Sequence, residues 1–352
     1  MERFVLGRAM RKLEAVFHEL CSAARAAVYE AWFDANAANG GSAGEVDHVY
    51  ALMRVGTNRL GRYWSQILQD KSIALRVTGV FCHQTPKVHF SYPSEGRRSC
   101  ELGDLLIVHQ HRRVATKTAL EVRRAVFIQA KIGHNGQCKT LDKYQEYLYE
   151  SWPQFELKGR GVGGKKFERG GRDFRYGNSG AYGLVETSLS AEVDTLPLYF
   201  NMFPWTISGA RRPVVAAGGE DAGSFITNML FNTSNARGRS ALIPEQPLSL
   251  STSSPNNHFD VTVEELLSIT AERTLPRNLN RYRVGPRSET TLCFQQQFGE
   301  NPMLPTLGES FIPTPGGLIP PRLEGLMDIK PGDNGISTLL IETGDVVEDG
   351  AV

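Results

Sequence analysis

Two apolar segments joined by a basic connection constrain the fold of this chain more than any other feature. Residues 105–109 (LLIVH) and 125–132 (AVFIQAKI) are rich in branched and aromatic side chains, which is typical of buried β-strands. The connection between them is rich in arginine and lysine. The two strands are therefore expected to pair as an antiparallel hairpin with a long loop.

Polar residues stand at neighbouring ends of these two strands. Asp104 directly precedes the first strand, and Gln129 and Lys131 lie near the end of the second. Side chains at positions i and i+2 of a strand point to one face, and hairpin pairing would bring Asp104 beside them. Carboxylate and amide oxygens suit a hard divalent cation, and a lysine can orient or help deprotonate water. This pattern predicts a site for phosphodiester hydrolysis.

The residues Gly103-Asp104 and Gln129-Ala130-Lys131 resemble the motifs of the PD-(D/E)XK nuclease superfamily, in the Mrr-like branch whose second motif is QxK. The resemblance implies an α/β fold with a restriction-endonuclease-like αβββαβ core, in which helices flank a mixed central sheet. It also implies that Asp104, Gln129 and the Ala130 carbonyl bind Mg²⁺ or Mn²⁺. Lys131 would then be the catalytic base or the group that orients water.

One part of the family pattern is missing at its expected place. Many members contribute a glutamate from a helix before the first strand, but the helix predicted over residues 57–69 contains none. Glu14, Glu19 and Glu30 on an earlier predicted helix are possible substitutes, and Glu101 is a further candidate metal ligand. The sequence does not choose among them. A helix predicted over residues 141–150 does lie where the family places one after the QxK strand.

Hydrophobic periodicity and composition divide the chain into three expected regions. Residues 1–56 form an N-terminal helical segment, and residues 57–240 form the nuclease-like core. Residues 241–352 are expected to form a C-terminal extension. Beyond residue 300 this extension is rich in proline and glycine, which predicts a loosely packed or partly disordered arm. Within that arm only residues 337–342 (STLLIE) resemble a strand.

A glycine-rich segment carries a local excess of positive charge. Its basic residues are Lys158, Arg160, Lys165, Lys166, Arg169, Arg172 and Arg175. Phe167, Phe174 and Tyr176 are interleaved with them, a combination that can follow a phosphate backbone and stack on bases. Because the formal net charge of the chain is only +1, affinity for nucleic acid must come from such clustering. DNA contact and a merely solvated loop both remain open readings.

Several other functional classes are disfavoured. Residues 159–166 (GRGVGGKK) have the spacing of a phosphate-binding loop, but Lys166 stands where Ser or Thr would reach magnesium. The five cysteines have no zinc-ligand spacing. His109 and His111 share one strand face, opposite to the face expected for Asp104, and are expected to be structural.

No apolar run approaches the roughly 18 to 20 residues of a membrane helix, so a cytoplasmic location without membrane contact is expected.

The expected function is that of a metal-dependent nuclease that hydrolyses DNA. By analogy with the branch that it resembles, it would act in restriction or anti-phage defence, as a homo-oligomer or with a separate ATPase or sensor subunit. The missing helix glutamate motivates the alternative, in which a catalytically weakened nuclease fold serves as a nucleic-acid-binding or assembly module. A nucleotide hydrolase built on the glycine-rich loop ranks below both.

Overall fold

A computed structural model describes fourteen stretches of the chain. They are residues 11–82, 86–112, 121–134, 137–138, 141–158, 167–174, 179–187, 203–209, 219–231, 237–241, 249–251, 253–274, 291–298 and 336–345. Residues 196–200 (LPLYF), whose apolar sequence predicts a further strand, lie outside them.

Helices dominate the N-terminal part and cover the central sheet. They are α1 (Phe17–Ala38), α2 (Glu45–Ala51), α3 (Thr57–Leu68), α4 (Lys143–Ser151), α5 (Ala222–Asn228) and α6 (His258–Thr274). The apolar residues that recur at three- and four-residue steps in α1 are buried, as the periodicity predicts. α2 and α3 form one continuous helix, because a π-helical turn at Leu52–Gly56 joins them.

The strands form one large mixed sheet and one small antiparallel sheet. In chain order they are β1 (Ile73–Cys82), β2 (Lys87–Tyr92), β3 (Gly96–Glu101), β4 (Leu105–Arg112), β5 (Glu121–His134), β6 (Gln137–Cys138), β7 (Phe155–Lys158), β8 (Gly180–Glu186), β9 (Trp205–Gly209), β10 (Glu220–Asp221), β11 (Arg239–Ala241), β12 (Thr291–Phe298) and β13 (Ser337–Asp345). Within the described residues the large sheet has ten strands in the order β10-β9-β8-β5-β4-β13-β1-β12, with β6 and β11 paired to β5. The predicted α/β class with a mixed central sheet is confirmed.

The central hairpin follows the sequence prediction. β4 and β5 pair in antiparallel fashion, with Leu105 opposite Ile128 and Val108 opposite Ala125. β5 continues in parallel with β8 on its other side, after the chain has passed through α4. Leu105 and Ile107 of β4 pack into the core beneath the N-terminal helices, whereas Leu106 belongs to a second core on the other face. Both faces of the hairpin are therefore buried, which explains its nearly continuous apolar sequence.

The C-terminal segment differs from the sequence expectation. Residues 336–345 do not belong to a loosely packed arm, because β13 lies in the middle of the large sheet, antiparallel to β1 and parallel to β4. β12 also pairs with β1. The strand-like character of residues 337–342 was predicted, but the proline and glycine content beyond residue 300 gave no sign that this strand lies inside the sheet. The boundary expected at residue 240 therefore does not separate the sheet from the last strands.

A buried ion pair joins β13 to β1. Arg76 lies directly opposite Glu342 in the strand register, and the guanidinium holds the carboxylate through Nε and through Nη2, the latter at 2.6 Å. Both side chains are only 2% exposed. A bidentate geometry of this kind offsets much of the cost of taking two charges out of water.

A small sheet packs beside the hairpin. β2 lies between β3 and β7, with antiparallel pairing on both sides. Val88, Phe90 and Phe155 point into the second core. There Tyr147 of α4 packs against Phe90, and Trp152, directly after α4, packs against Phe155. Of the helices in the described residues, none is long and apolar enough to cross a membrane.

Removing the carboxylate of the buried pair tests whether the C-terminal strand is integral to the fold. Glu342→Ala should lower the free energy of unfolding by about 3–5 kcal/mol, because Arg76 would lose its carboxylate partner in the core. Glu156→Ala is the matched control, since the Arg97–Glu156 pair is 66% and 55% exposed and should contribute less than about 1 kcal/mol. Urea denaturation measures both values. Equal losses for the two variants would contradict the prediction.

Candidate active site

The candidate site forms where β5 extends beyond the first residue of β4, its antiparallel neighbour. β4 begins at Leu105, opposite Ile128, whereas β5 continues to His134. Residues 129–132 of β5 therefore have no described strand beside them on the β4 side, because β6 pairs only with Gly133 and His134, although β8 still pairs with them on the other side. Backbone N–H and C=O groups on that side need other partners, because unpaired buried polar groups are costly.

Asp104 supplies the first of these partners. Its backbone N–H donates to the Ile128 carbonyl at 2.9 Å, which extends the hairpin by one hydrogen bond. Its Oδ2 accepts the Ala130 N–H at 2.7 Å and also the Gln129 Nε2. The structure thus brings the predicted carboxylate and amide into direct contact at the start of β4.

Glu45 supplies the second partner, and sequence reasoning did not single it out. It is the first residue of α2, and its Oε1 accepts the Ile132 N–H at 3.3 Å. Its Oε2 pairs with Lys131 Nζ at 3.4 Å. A glutamate from a helix therefore reaches Lys131, but from the segment before residue 57 and not from the helix predicted over residues 57–69. No spacing rule in the sequence connects positions 45 and 131.

The Ala130 carbonyl shares this edge with the two carboxylates. In an antiparallel pair, the N–H and C=O of one residue point towards the same neighbouring strand. Because the Ala130 N–H donates to Asp104, the Ala130 carbonyl points to the same side. On that edge Glu45 accepts the next N–H, which belongs to Ile132. The carboxylates of Asp104 and Glu45 and the Ala130 carbonyl therefore lie at one strand edge.

Two residues of α4 fix the geometry of the site. Gln145 Nε2 donates to Gln129 Oε1 at 3.1 Å, and Tyr149 donates its hydroxyl to the Leu102 carbonyl at 2.8 Å. Gly103 is needed for this close approach, because a Cβ there would lie 2.8 Å from the Tyr149 hydroxyl. Gln145 and Tyr149 are one helical turn apart, a spacing that puts both on one face. That spacing is the sequence signal from which Gln145 and Tyr149 could have been predicted to face the site together.

The charges at the site are unbalanced. The carboxyl groups of Glu45, Glu101 and Asp104 all interact electrostatically, and Lys131 is the cation that acts on both Glu101 and Asp104. Burial, reinforced by Glu101 and Glu45, raises the pKa of Asp104 to about 7 despite the opposing effect of Lys131. Burial also raises the pKa of Glu101. The site thus holds more negative than positive charge when its carboxyl groups ionise.

The basic residues predicted to contact nucleic acid divide into three groups. Lys158 and Arg169 are exposed. Arg172 is completely buried, and its guanidinium pairs with Glu265 at 2.6 Å, so the prediction that it contacts a phosphate backbone is wrong. Arg160, Lys165, Lys166 and Arg175 lie outside the described residues.

The aromatic residues of the same segment also depart from the expectation. Phe167 and Phe174 are 4% and 0% exposed and belong to the second core. Phe174 packs edge-on against Phe155 and Phe259. They are therefore core residues and not platforms for bases. Tyr176 lies outside the described residues.

The two histidines of β4 have structural roles, as expected. His109 Nε2 and His111 Nδ1 each lie 2.9 Å from the Thr343 hydroxyl of β13. Burial is the main cause that lowers the pKa of His109 to about 3, which keeps its ring neutral. In the described part of the chain, no group of three or more His, Cys, Asp or Glu side chains is arranged to hold a metal ion.

Comparisons of the chain with protein-family models, with curated proteins and with solved structures gave no match. Function must therefore be inferred from the geometry of the site.

The raised pKa of Asp104 predicts that this residue destabilises the metal-free protein at high pH. Its folded-state pKa of about 7 lies above the ordinary value of 3.8, so the folded state binds the proton more tightly than the unfolded state. The contribution of Asp104 to stability therefore falls as pH rises between these two values. Asn at this position keeps an oxygen acceptor and carries no charge.

Asp104→Asn should accordingly be more stable than the wild type at pH 8, by about 1–4 kcal/mol given roughly 1.4 kcal/mol for each pKa unit. The advantage should shrink steadily towards pH 4. Urea denaturation in EDTA at several pH values measures the free energy of unfolding of both proteins. Their difference removes the pH dependence of the ionisable groups that both proteins have in common. A difference that does not change with pH would show that the Asp104 carboxyl is not perturbed.

Proposed function

We propose that this protein is a metal-dependent nuclease that hydrolyses DNA phosphodiester bonds. The observation that carries the proposal is the convergence of Asp104, Gln129, the Ala130 backbone, Lys131 and Glu45 at one strand edge. Carboxylate, amide and carbonyl oxygens beside an ammonium group are the components that phosphodiester hydrolysis requires. Excess negative charge in the pocket favours a bound cation.

The donor set fits Mg²⁺ or Mn²⁺. Magnesium prefers oxygen ligands, retains several waters and commonly needs only one or two protein carboxylates. Asp104, the Ala130 carbonyl and Gln129 would hold it, with Glu45 and Glu101 close by. The Gln129 amide now donates to Asp104 through Nε2, so its oxygen would face the cation only after the amide turned over. Gln145, as another amide, can donate or accept and thus accommodate either orientation.

The residues of the chain have distinct roles in this proposal. A bound divalent ion would polarise the phosphoryl group and acidify a bound water. Lys131, held by Glu45 at 3.4 Å, orients the attacking water and balances the negative charge that develops on the phosphate. Gln145 and Tyr149 act through other residues, because they position Gln129 and the segment that carries Asp104.

The proposal includes a restriction-endonuclease-like core. The order β4, β5, α4, β8, with an antiparallel hairpin followed by a helix and a parallel strand, agrees with the second half of the αβββαβ pattern. One departure is clear: β13 separates β1 from β4 in the sheet. The proposal therefore treats β13 as an addition from the C-terminal part of the chain.

A catalytically weakened module for nucleic-acid binding or assembly is the second candidate. A missing helix glutamate motivated it, and Glu45 at Lys131 supplies a carboxylate of that kind. The active enzyme is therefore the better-supported proposal. A role in restriction or anti-phage defence, as a homo-oligomer or with an ATPase or sensor subunit, rests on the family resemblance alone.

Cleavage of DNA by the full chain tests the proposal directly. The wild type should nick or linearise a supercoiled plasmid in Mg²⁺ or Mn²⁺ and should be inactive in EDTA. Asp104→Ala and Lys131→Ala should each lower the rate by at least about 100-fold, because each removes a group that acts at the reacting phosphate. Gel electrophoresis over time gives the rates. Equal cleavage by all three proteins would reject the nuclease proposal, and salt-sensitive binding without cleavage would favour the second candidate.

The contribution of the helix carboxylate can be tested against a matched variant. Glu45 and Glu19 each lie in the first turn of a helix, but Glu19 is exposed on α1. Glu45→Gln keeps an acceptor for the Ile132 N–H and removes the charge beside Lys131. It should lower plasmid cleavage by at least about 10-fold and raise the Mg²⁺ concentration needed for half-maximal rate. Glu19→Gln should leave both quantities unchanged, and equal behaviour of the two variants would remove Glu45 from the site.

A further inference from the structure

The small sheet has one face that no other described element covers. Its inner face carries Val88, Phe90, Cys100 and Phe155, which are buried in the second core. The alternate residues point the other way and are exposed or half-buried. This outer face consists of Lys87, His89, Ser91, Arg97, Ser99 and Lys158, together with Glu101 and Glu156. It is polar throughout.

Two lysines of the outer face oppose each other. In the strand register Lys87 lies between Lys158 on β7 and Glu101 on β3. Like charges directly opposite each other on neighbouring strands destabilise a sheet unless something neutralises them. Glu101 faces Lys131 as well as Lys87, since both cations act on its carboxyl group. The Lys87–Lys158 pair therefore has more positive charge than this carboxylate balances.

Glu156, the second acidic residue of the face, has a basic partner of its own. Glu156 pairs with Arg97 at 2.9 Å, so the guanidinium offsets the charge of this carboxylate. His89 lies between these charges, opposite Glu156 and Ser99. Burial first, and then Lys158 and Arg97, lower its pKa, which is consistent with a positive local potential.

The outer face is continuous with the candidate site. Glu101 ends β3, and Asp104 follows three residues later, a distance of at most about 11 Å along the chain. The row Lys158, Lys87, Glu101 spans two strand spacings, or about 10 Å. A DNA strand rises about 3.4 Å per nucleotide along the duplex axis, and the two lysines, one strand spacing or about 5 Å apart, are close enough to contact neighbouring phosphates.

We propose that the outer face of the small sheet is a DNA-binding surface, on which Lys87 and Lys158 contact backbone phosphates and lead the duplex to the strand edge at Asp104. Ser91 and Ser99 supply further donors of the kind that contact phosphates. This inference rests on the proposed nuclease function. It also places Lys158, which the sequence predicts as a nucleic-acid contact, opposite Lys87, which sequence reasoning did not single out.

Binding to a labelled duplex tests the surface separately from catalysis. The full-length Asp104→Asn protein is the parent, and the probe is a fluorescein-labelled 20-base-pair DNA measured by anisotropy at several KCl concentrations. Adding Lys87→Gln and Lys158→Gln should weaken binding about 10- to 100-fold at low salt. The slope of log K against log salt should fall by about 2, because each lost phosphate contact contributes roughly 0.9.

Arg62→Gln with Lys71→Gln in the same parent is the matched control. It removes the same charge from α3 and from the segment before β1, and it should leave affinity and slope unchanged. Thermal melting checks that both double variants fold. If the Lys87/Lys158 variant binds like the control, the surface assignment is wrong while the nuclease proposal stands. An effect seen only with a 20-base-pair RNA duplex would likewise overturn the DNA assignment.

The two proposals fail in different ways. If the parent binds DNA through the two lysines but the wild type never cleaves it, the surface stands and catalysis is rejected. A parent that does not bind the duplex even at low salt would overturn the surface and the choice of DNA as substrate together.

Discussion

The site depends on a strand that is longer than its neighbour. β5 continues past the first residue of β4, so the N–H groups of Ala130 and Ile132 lack a strand partner on that side. Asp104 and Glu45 accept them instead. The need to satisfy a buried backbone edge thus places two carboxylates beside the QxK residues. The same hydrogen bonds that complete the sheet also assemble the chemical groups.

This arrangement concentrates negative charge where the backbone requires acceptors. Burial and the nearby Glu101 and Glu45 oppose ionisation of Asp104, and the same carboxyl groups would be favoured in their charged form beside a cation. In the proposed nuclease, the group that weakens the metal-free fold at high pH would be the group that makes metal binding favourable. Such an exchange between stability and activity is common at functional sites.

The sequence predicted those parts of the structure that follow from the local order of apolar and polar residues. The hairpin, its buried faces and the contact between Asp104 and Gln129 follow from apolar runs and from the two-residue period of a strand. Glu45 and the placement of β13 depend on contacts between distant residues, which no period records. Arg172 and Phe174 were read as part of a basic, glycine-rich loop, yet their segment packs against α6 and the second core. Composition identifies loops only where tertiary contacts do not override it.

The position of β13 makes the candidate site a property of nearly the whole chain. β4, which follows Asp104, pairs on one side with β5 and on the other with β13, and β13 is joined to β1 by the Arg76–Glu342 pair. Thr343 of the same strand bonds both buried histidines of β4. The strand that positions Asp104 therefore has its second neighbour only when residues more than two hundred positions later are in place. A fragment ending at residue 240 would keep every motif residue and lack this support.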